Sequence, residues 1–164
     1  MSPADATWSA IQTGNDDEQL IQERFRGSRI LIADDNPVNR EILKSILECA
    51  GLMTDTAGDG AQAIAMARQV HYRVILMDMQ MPNVDGLEAT RKIREIPGHL
   101  NTPIIAMTAN TSIEDQTNCF EAGMSDFMAK PFHPNRLFAH LLHWLSLGDQ
   151  AQASTASTDW RPAS

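Results

Sequence analysis

Asp34-Asp35, Asp78, Thr108 and Lys130 are the residues of this 164-residue chain whose types suit shared chemistry. Each follows or closes a short apolar run: Arg29-Ile-Leu-Ile-Ala33, Val74-Ile-Leu-Met77, Pro103-Ile-Ile-Ala-Met107 and Asp126-Phe-Met-Ala129. Two or three carboxylates gathered at one place repel, by about 4 kcal/mol per pair at ~4 Å and an effective dielectric near 20. A divalent ion or a raised pKa must relieve that. Hard oxygen ligands with room for water suit Mg²⁺ better than zinc. Asp78 then fits a nucleophile towards phosphorus that forms an aspartyl phosphate. Mg²⁺ and Lys130 would neutralise the phosphoryl oxygens, and the Thr108 hydroxyl would donate to one of them. Each residue also has a plain alternative. Lys130 suits a surface lysine, Thr108 a strand-end cap, Asp34 and Asp35 a helix N-cap pair, and Asp78 a turn cap. All four strand ends carrying complementary groups favours the shared chemistry.

The elements that position these residues are legible as alternation. Asn36 or Asp35 caps a helix opened by Pro37, with Ile42, Leu43, Ile46, Leu47 and Ala50 on one face and Gly51 as its stop. Leu52 to Ala57 is a weaker strand, and Asp55 places it towards a sheet edge. After the turn Gly58-Asp-Gly60, the Ala-rich segment to Val70 points Ala63, Ile64 and Ala67 at a sheet. Helices are expected over Gly86 to Glu95, over Ser112 to Ala122 (polar, loosely packed, Ser112 as N-cap) and from Pro134, whose apolar face is Leu137, Phe138, Leu141, Leu142 and Leu145. Five strands alternating with five helices imply an α/β fold, a doubly wound parallel sheet with every carboxyl end on one edge. Residues 1–28 read as an acidic, flexible linker with a helical turn or two, and 148–164 as a disordered C-terminal tail.

Composition excludes several classes. A net charge of −8 argues against nucleic-acid and anionic-membrane surfaces and suits a protein that holds a cation or meets a basic partner. Cys49 and Cys119 are too few for a disulfide framework or a zinc site and read as buried small apolar residues. No apolar stretch approaches ~20 residues, so a cytoplasmic segment without membrane contact is expected.

Over about residues 28 to 147 the sequence resembles the receiver domain of two-component response regulators. The motifs that carry this are Ile32-Ala-Asp-Asp-Asn-Pro37, Leu76-Met-Asp-Met-Gln-Met-Pro82 with Asp85-Gly86, Ala106-Met-Thr-Ala109 and Met128-Ala-Lys-Pro131. The resemblance implies a flavodoxin-like sheet with strand order 2-1-3-4-5 over residues 29–147, and Asp78 as acceptor of phosphate from a histidine. It implies Mg²⁺ held by Asp34, Asp35, Asp78 and the Gln80 carbonyl, with Thr108 and Lys130 on the phosphoryl group. It further implies a cis Lys130-Pro131 peptide, Phe127 beside Thr108 as switch residue, and Gln80 and Asn110 as tuners of phosphate lifetime. Asp34-Asp-Asn-Pro-Val-Asn-Arg40, Gly86-Leu-Glu-Ala-Thr90 and Leu141-Leu-His-Trp-Leu145 resemble receivers of hybrid sensor histidine kinases. The partners implied are a histidine kinase or a histidine phosphotransfer protein, the latter docking around the helix after the first strand. No kinase catalytic core and no DNA-binding segment is present in the sequence.

Two other readings compete. Gly58-Asp-Gly60-Ala-Gln-Ala63 matches the dinucleotide pattern G-x-G-x-x-A, but that leaves Asp34-Asp35, Thr108 and Lys130-Pro131 without a role. The other is a receiver fold that serves as an interaction module without phosphorylation. His140 and His143 lie three apart on the last helix with no third ligand, which fits surface or packing roles.

Overall fold

In the computed structural model, which describes residues 13–81, 84–109, 112–130 and 133–160, all five strands are parallel. They are β1 (Arg29–Ala33), β2 (Met53–Ala57), β3 (Val74–Asp78), β4 (Ile104–Thr108) and β5 (Asp126–Ala129), in the order β2-β1-β3-β4-β5. The expected strand order is therefore the one observed, and Asp55 does lie on an edge strand. There Arg29 pairs with its carboxylate at 3.2 Å and the buried Tyr72 hydroxyl donates to it at 2.8 Å.

The apolar runs are continuous because both sheet faces are covered. Ile30, Ile32, Val74, Leu76, Ile105 and Met107 enter one core; Leu31, Ala33, Ile75, Met77, Ile104 and Ala106 enter the other. The helices are α1 (Thr13–Arg24), α2 (Pro37–Cys49), α3 (Gly60–Gln69), α4 (Gly86–Arg94), α5 (Ile113–Ala122) and α6 (Pro134–Trp160). Residues of α1, α2 and α6 fill the first core, and those of α3, α4 and α5 the second. Asn36, Asp59, Asp85 and Ser112 cap α2, α3, α4 and α5 through side-chain oxygens. Gly51 and Gly123, at φ 85° and 108°, stop α2 and α5 in a conformation that penalises a Cβ.

Several expectations are corrected. Six α-helices lie among the described residues, because the segment read as a solvated linker holds α1. Ile21 and Phe25 are buried in the first core, the Arg24 and Arg73 guanidiniums lie 5.1 and 5.9 Å from the Phe25 ring, and Gln22 donates to the Cys49 carbonyl at 2.9 Å. The Gly27 N–H bonds the Gly51 carbonyl, and the Ser28 carbonyl accepts from Met53 N. The last helix runs on to Trp160 rather than ending near Leu147. Ala and Gln are good helix formers, and Gly148 costs only about 1 kcal/mol relative to Ala. Cys119 is buried as expected, but Cys49 is exposed at the end of α2. Ile42 is 48% exposed beside Val38 at 62%, while Leu43 and Leu47, with Ile46 packed partly against them, carry the α2 contact with the core.

Candidate functional site

Parallel pairing sets Ala33 opposite both Ala57 and Met77, Asp78 opposite Met107, and Thr108 opposite Ala129. The residues at or just past these strand ends therefore meet at one edge, at the reversal of strand order between β1 and β3 where such sheets bind ligands. One ligand oxygen each from Asp34, Asp35 and Asp78 lies within 4.8 Å of the others. Asp34 and Asp78 are buried and Asp35 is exposed, so the group opens to solvent on one side. Lys130 reaches in from the end of β5, its Nζ 3.0 Å from Asp78 Oδ1 and 3.6 Å from Asp34 Oδ2.

The backbone around these groups is tightly set. The Asp34 carboxylate accepts the Asn36 N–H on Oδ1 at 2.9 Å, and the Asn39 amide lies 3.4 Å from its Oδ2. Asp78 Oδ1 accepts the Gln80 N–H at 3.2 Å, and the Gln80 side chain is exposed. Burial pushes the Asp78 carboxyl above its ordinary value, against the pull of Lys130 and the Gln80 N–H. A Cβ at Gly86 would collide with the Asp78 carbonyl, so α4 can start this close only with glycine. A Cβ at Gly60 would likewise meet the Val84 carbonyl. The G-x-G-x-x-A pattern thus reflects close packing of α3 on the loop after β3, with Asp59 capping α3 through the Gln62 N–H at 2.8 Å.

Thr108 is buried at the end of β4, and its carbonyl accepts the Lys130 N–H at 2.7 Å. Phe127 is half-buried on β5, edge-on to Phe120 with centroids 6.2 Å apart, beside a groove of about 440 Å³ lined by Gln116, Arg136 and His140. Beneath the loop, Cys119 donates to the Met79 sulfur at 3.4 Å; burial and then the Asp115 charge push this thiol up, so it is a packing group. Asn110 and Pro131 lie outside the described residues, so the positions proposed from them are not placed here.

Sequence reasoning missed three groups at or near the site. Asn39 and Arg40 sit inside the motif that follows Asp34-Asp35, and Arg40 donates to the Asp34 carbonyl at 2.7 Å. Asp126, next to Phe127, takes hydrogen bonds from His140 at 2.7 Å and Trp144 at 2.9 Å. Burial alone would raise the Asp126 carboxyl, but these donors, the Phe127 N–H and the His140 charge hold it below its ordinary value.

An all-oxygen acidic cluster, open on one side and with a lysine already serving as counter-cation, fits a hard divalent ion. Among the described residues no helix is long and apolar enough to cross a membrane. Comparison with known proteins agrees with the geometry. The family model described as "Response regulator receiver domain" matches residues 30–142. Hybrid signal transduction histidine kinase L of Dictyostelium discoideum is 38% identical over 130 residues, which is 76% of this chain and 8% of that protein. The signal transduction histidine-protein kinase BarA of Escherichia coli K12 is 36% identical over 115 residues, 70% of this chain and 12% of that one. The chain thus spans about a tenth of the length of these relatives. The receiver domain of sensor histidine kinase PA1611 from Pseudomonas aeruginosa, solved with a magnesium ion coordinated in its active site cleft, is 41% identical. It superposes with a TM-score of 0.70 over 73% of this chain and 98% of that one.

Proposed function

The chain belongs to the response regulator receiver domain family, and on that premise we propose that it takes a phosphoryl group from a partner's phosphohistidine onto Asp78, with Mg²⁺, within a phosphorelay. The observation that carries this is the carboxylate trio within 4.8 Å, with Lys130 at 3.0 Å from Asp78. An Asp78 carboxylate oxygen attacks phosphorus, the P–N bond breaks, and the imidazole leaves with the bonding pair and takes up a proton. Water later attacks the acyl phosphate, releasing inorganic phosphate and restoring the carboxylate. Asp34, Asp35, Asp78 and the Gln80 carbonyl would hold Mg²⁺, which would supply charge neutralisation at the phosphoryl oxygens. Lys130 turns from Asp78 to one of those oxygens, and the Thr108 hydroxyl donates to another. Thr108 and Phe127 then move together and re-bias the face formed by α5, β5 and α6. Gln80 and Asn110 tune the rate of that hydrolysis.

We take residues 29–147 as the receiver unit and a cytoplasmic hybrid kinase segment as its setting, since phosphohistidine donors form there. Val38 and Ile42, four apart and exposed beside the site on α2, suit docking of a histidine phosphotransfer protein. The test is intact mass after incubation with acetyl phosphate and Mg²⁺, alongside Asp78→Asn and an EDTA control. A phosphoryl adduct that needs both Mg²⁺ and Asp78 is expected. No adduct, together with no response of the amide spectrum to beryllofluoride and Mg²⁺, would leave a receiver fold used only for protein contact.

A further inference from the structure

Arg40 is a half-buried cation six residues after Asp34, yet among the described residues it forms no ion pair with the Asp34, Asp35 or Asp78 carboxylate. Its guanidinium instead donates to the Asp34 carbonyl at 2.7 Å. The same group lies 3.4 Å from where a Cβ of Gly58 would sit, so it bridges the loop after β1 and the turn after β2. Asp34 N bonds the Ala57 carbonyl at 3.0 Å from the other side, and Arg40 N bonds the Asn36 carbonyl at 3.1 Å. Together with the Asn36 N–H on Oδ1 and the longer Asn39 contact to Oδ2, these bonds fix both the backbone and the carboxylate of Asp34.

We propose that Arg40, assisted by Asn39, is a positioning residue that holds Asp34 in the orientation required to bind the divalent cation. This rests on the Mg²⁺ reading above and deepens it. Groups that orient metal ligands without touching the metal typically change its affinity about 10–100-fold when removed. The sign of the effect separates positioning from charge. Arg40 is a positive charge close to a cation site, so its removal, judged by Coulomb repulsion alone, tightens Mg²⁺ binding. Loss of positioning weakens it. An arginine that served only to hold α2 in place would lower stability and leave affinity alone.

The experiment is calorimetric titration of the metal-free protein with MgCl₂, wild type against Arg40→Ala, Arg40→Lys and Asn39→Ala, with melting temperatures in EDTA. Arg68→Ala, an exposed cation on α3, controls for net charge. The expected result is binding weakened about tenfold or more in Arg40→Ala, less in Arg40→Lys and Asn39→Ala, and unchanged in Arg68→Ala. Equal or tighter binding by Arg40→Ala overturns the proposal while the Mg²⁺ site stands. A wild type that takes up no Mg²⁺ overturns the site reading itself. If Arg40→Ala does not fold, weakened binding by Arg40→Lys and Asn39→Ala supports the proposal, and wild-type affinity in both overturns it.

Discussion

Replacing Asp78 by Asn should stabilise the metal-free protein and destabilise the metal-loaded one relative to wild type. Ligand oxygens of Asp34 and Asp35 lie within 4.8 Å of that of Asp78. At an effective dielectric near 20, each such neighbour costs about 3.5 kcal/mol, and Lys130 at 3.0 Å returns about 5.5 kcal/mol. Asp35 is exposed and counts for less, whereas burial adds to the cost. The balance favours the amide by about 1 kcal/mol, a rise in melting temperature of roughly 2–4 °C. The pH linkage has the same sign. Because the folded carboxyl is raised, its contribution is fully present below the ordinary value of 3.8 and is lost as pH rises through the raised value. At neutral pH the ionised Asp78 is therefore a net cost. With Mg²⁺ at 100 times its dissociation constant, wild type gains about 2.7 kcal/mol, most of which the Asn variant forgoes. The order of melting temperatures should thus invert between EDTA and saturating MgCl₂, measured by differential scanning calorimetry at pH 7. An Asn variant that melts below wild type in EDTA, or that gains as much from Mg²⁺, would refute this account of the site's charge balance.

Other parts of the structure give equally direct expectations. Gly86→Ala forces a Cβ onto the Asp78 carbonyl and should cost about 1–3 kcal/mol in urea unfolding while slowing formation of the phosphoryl adduct. Asp126→Asn weakens charge-assisted bonds from His140 and Trp144 and should cost about 1–2 kcal/mol at pH 7. Since the folded Asp126 carboxyl is lowered, the wild-type advantage should be complete above pH 3.8 and fade as pH falls through the lowered value, as chemical denaturation across pH would show. Phe25→Ala should cost about 3–5 kcal/mol, the loss of a core aromatic, if α1 is part of the folded unit; a cost near zero would return the segment to linker status.

What could be read in advance follows from local signals. Val74 to Met77 is apolar without interruption because β3 is buried on both faces, and Asp78 stands out as the polar residue that ends it. The convergence of Asp34, Asp78 and Lys130 was legible because parallel sheets place all carboxyl ends together. Arg40 was not, since an arginine on a helix's first turns looks solvated whether or not a carbonyl lies within its reach. Asp126, His140 and Trp144 meet across 14 and 18 residues, a separation no local period records. Phe25 follows Ile21 at helical spacing, but the acidic residues around them and the lack of a sustained period made the segment read as solvated. Ile42 was overassigned to the core because the apolar face of α2 is wider than the sheet it covers.

The attachment of α1 has a mechanical consequence. Ile21 and Phe25 seat its base in the core, and the connection to β1 is pinned at Gly27 and Ser28, so the joint has no swivel. The helix behaves as a lever with a clamped root, lying against α6. Its 12 residues span about 18 Å, so a rotation of about 10° at the root carries its tip roughly 3 Å. A small turn of the helical layer beneath α1 would therefore reach its Thr13 end as torque.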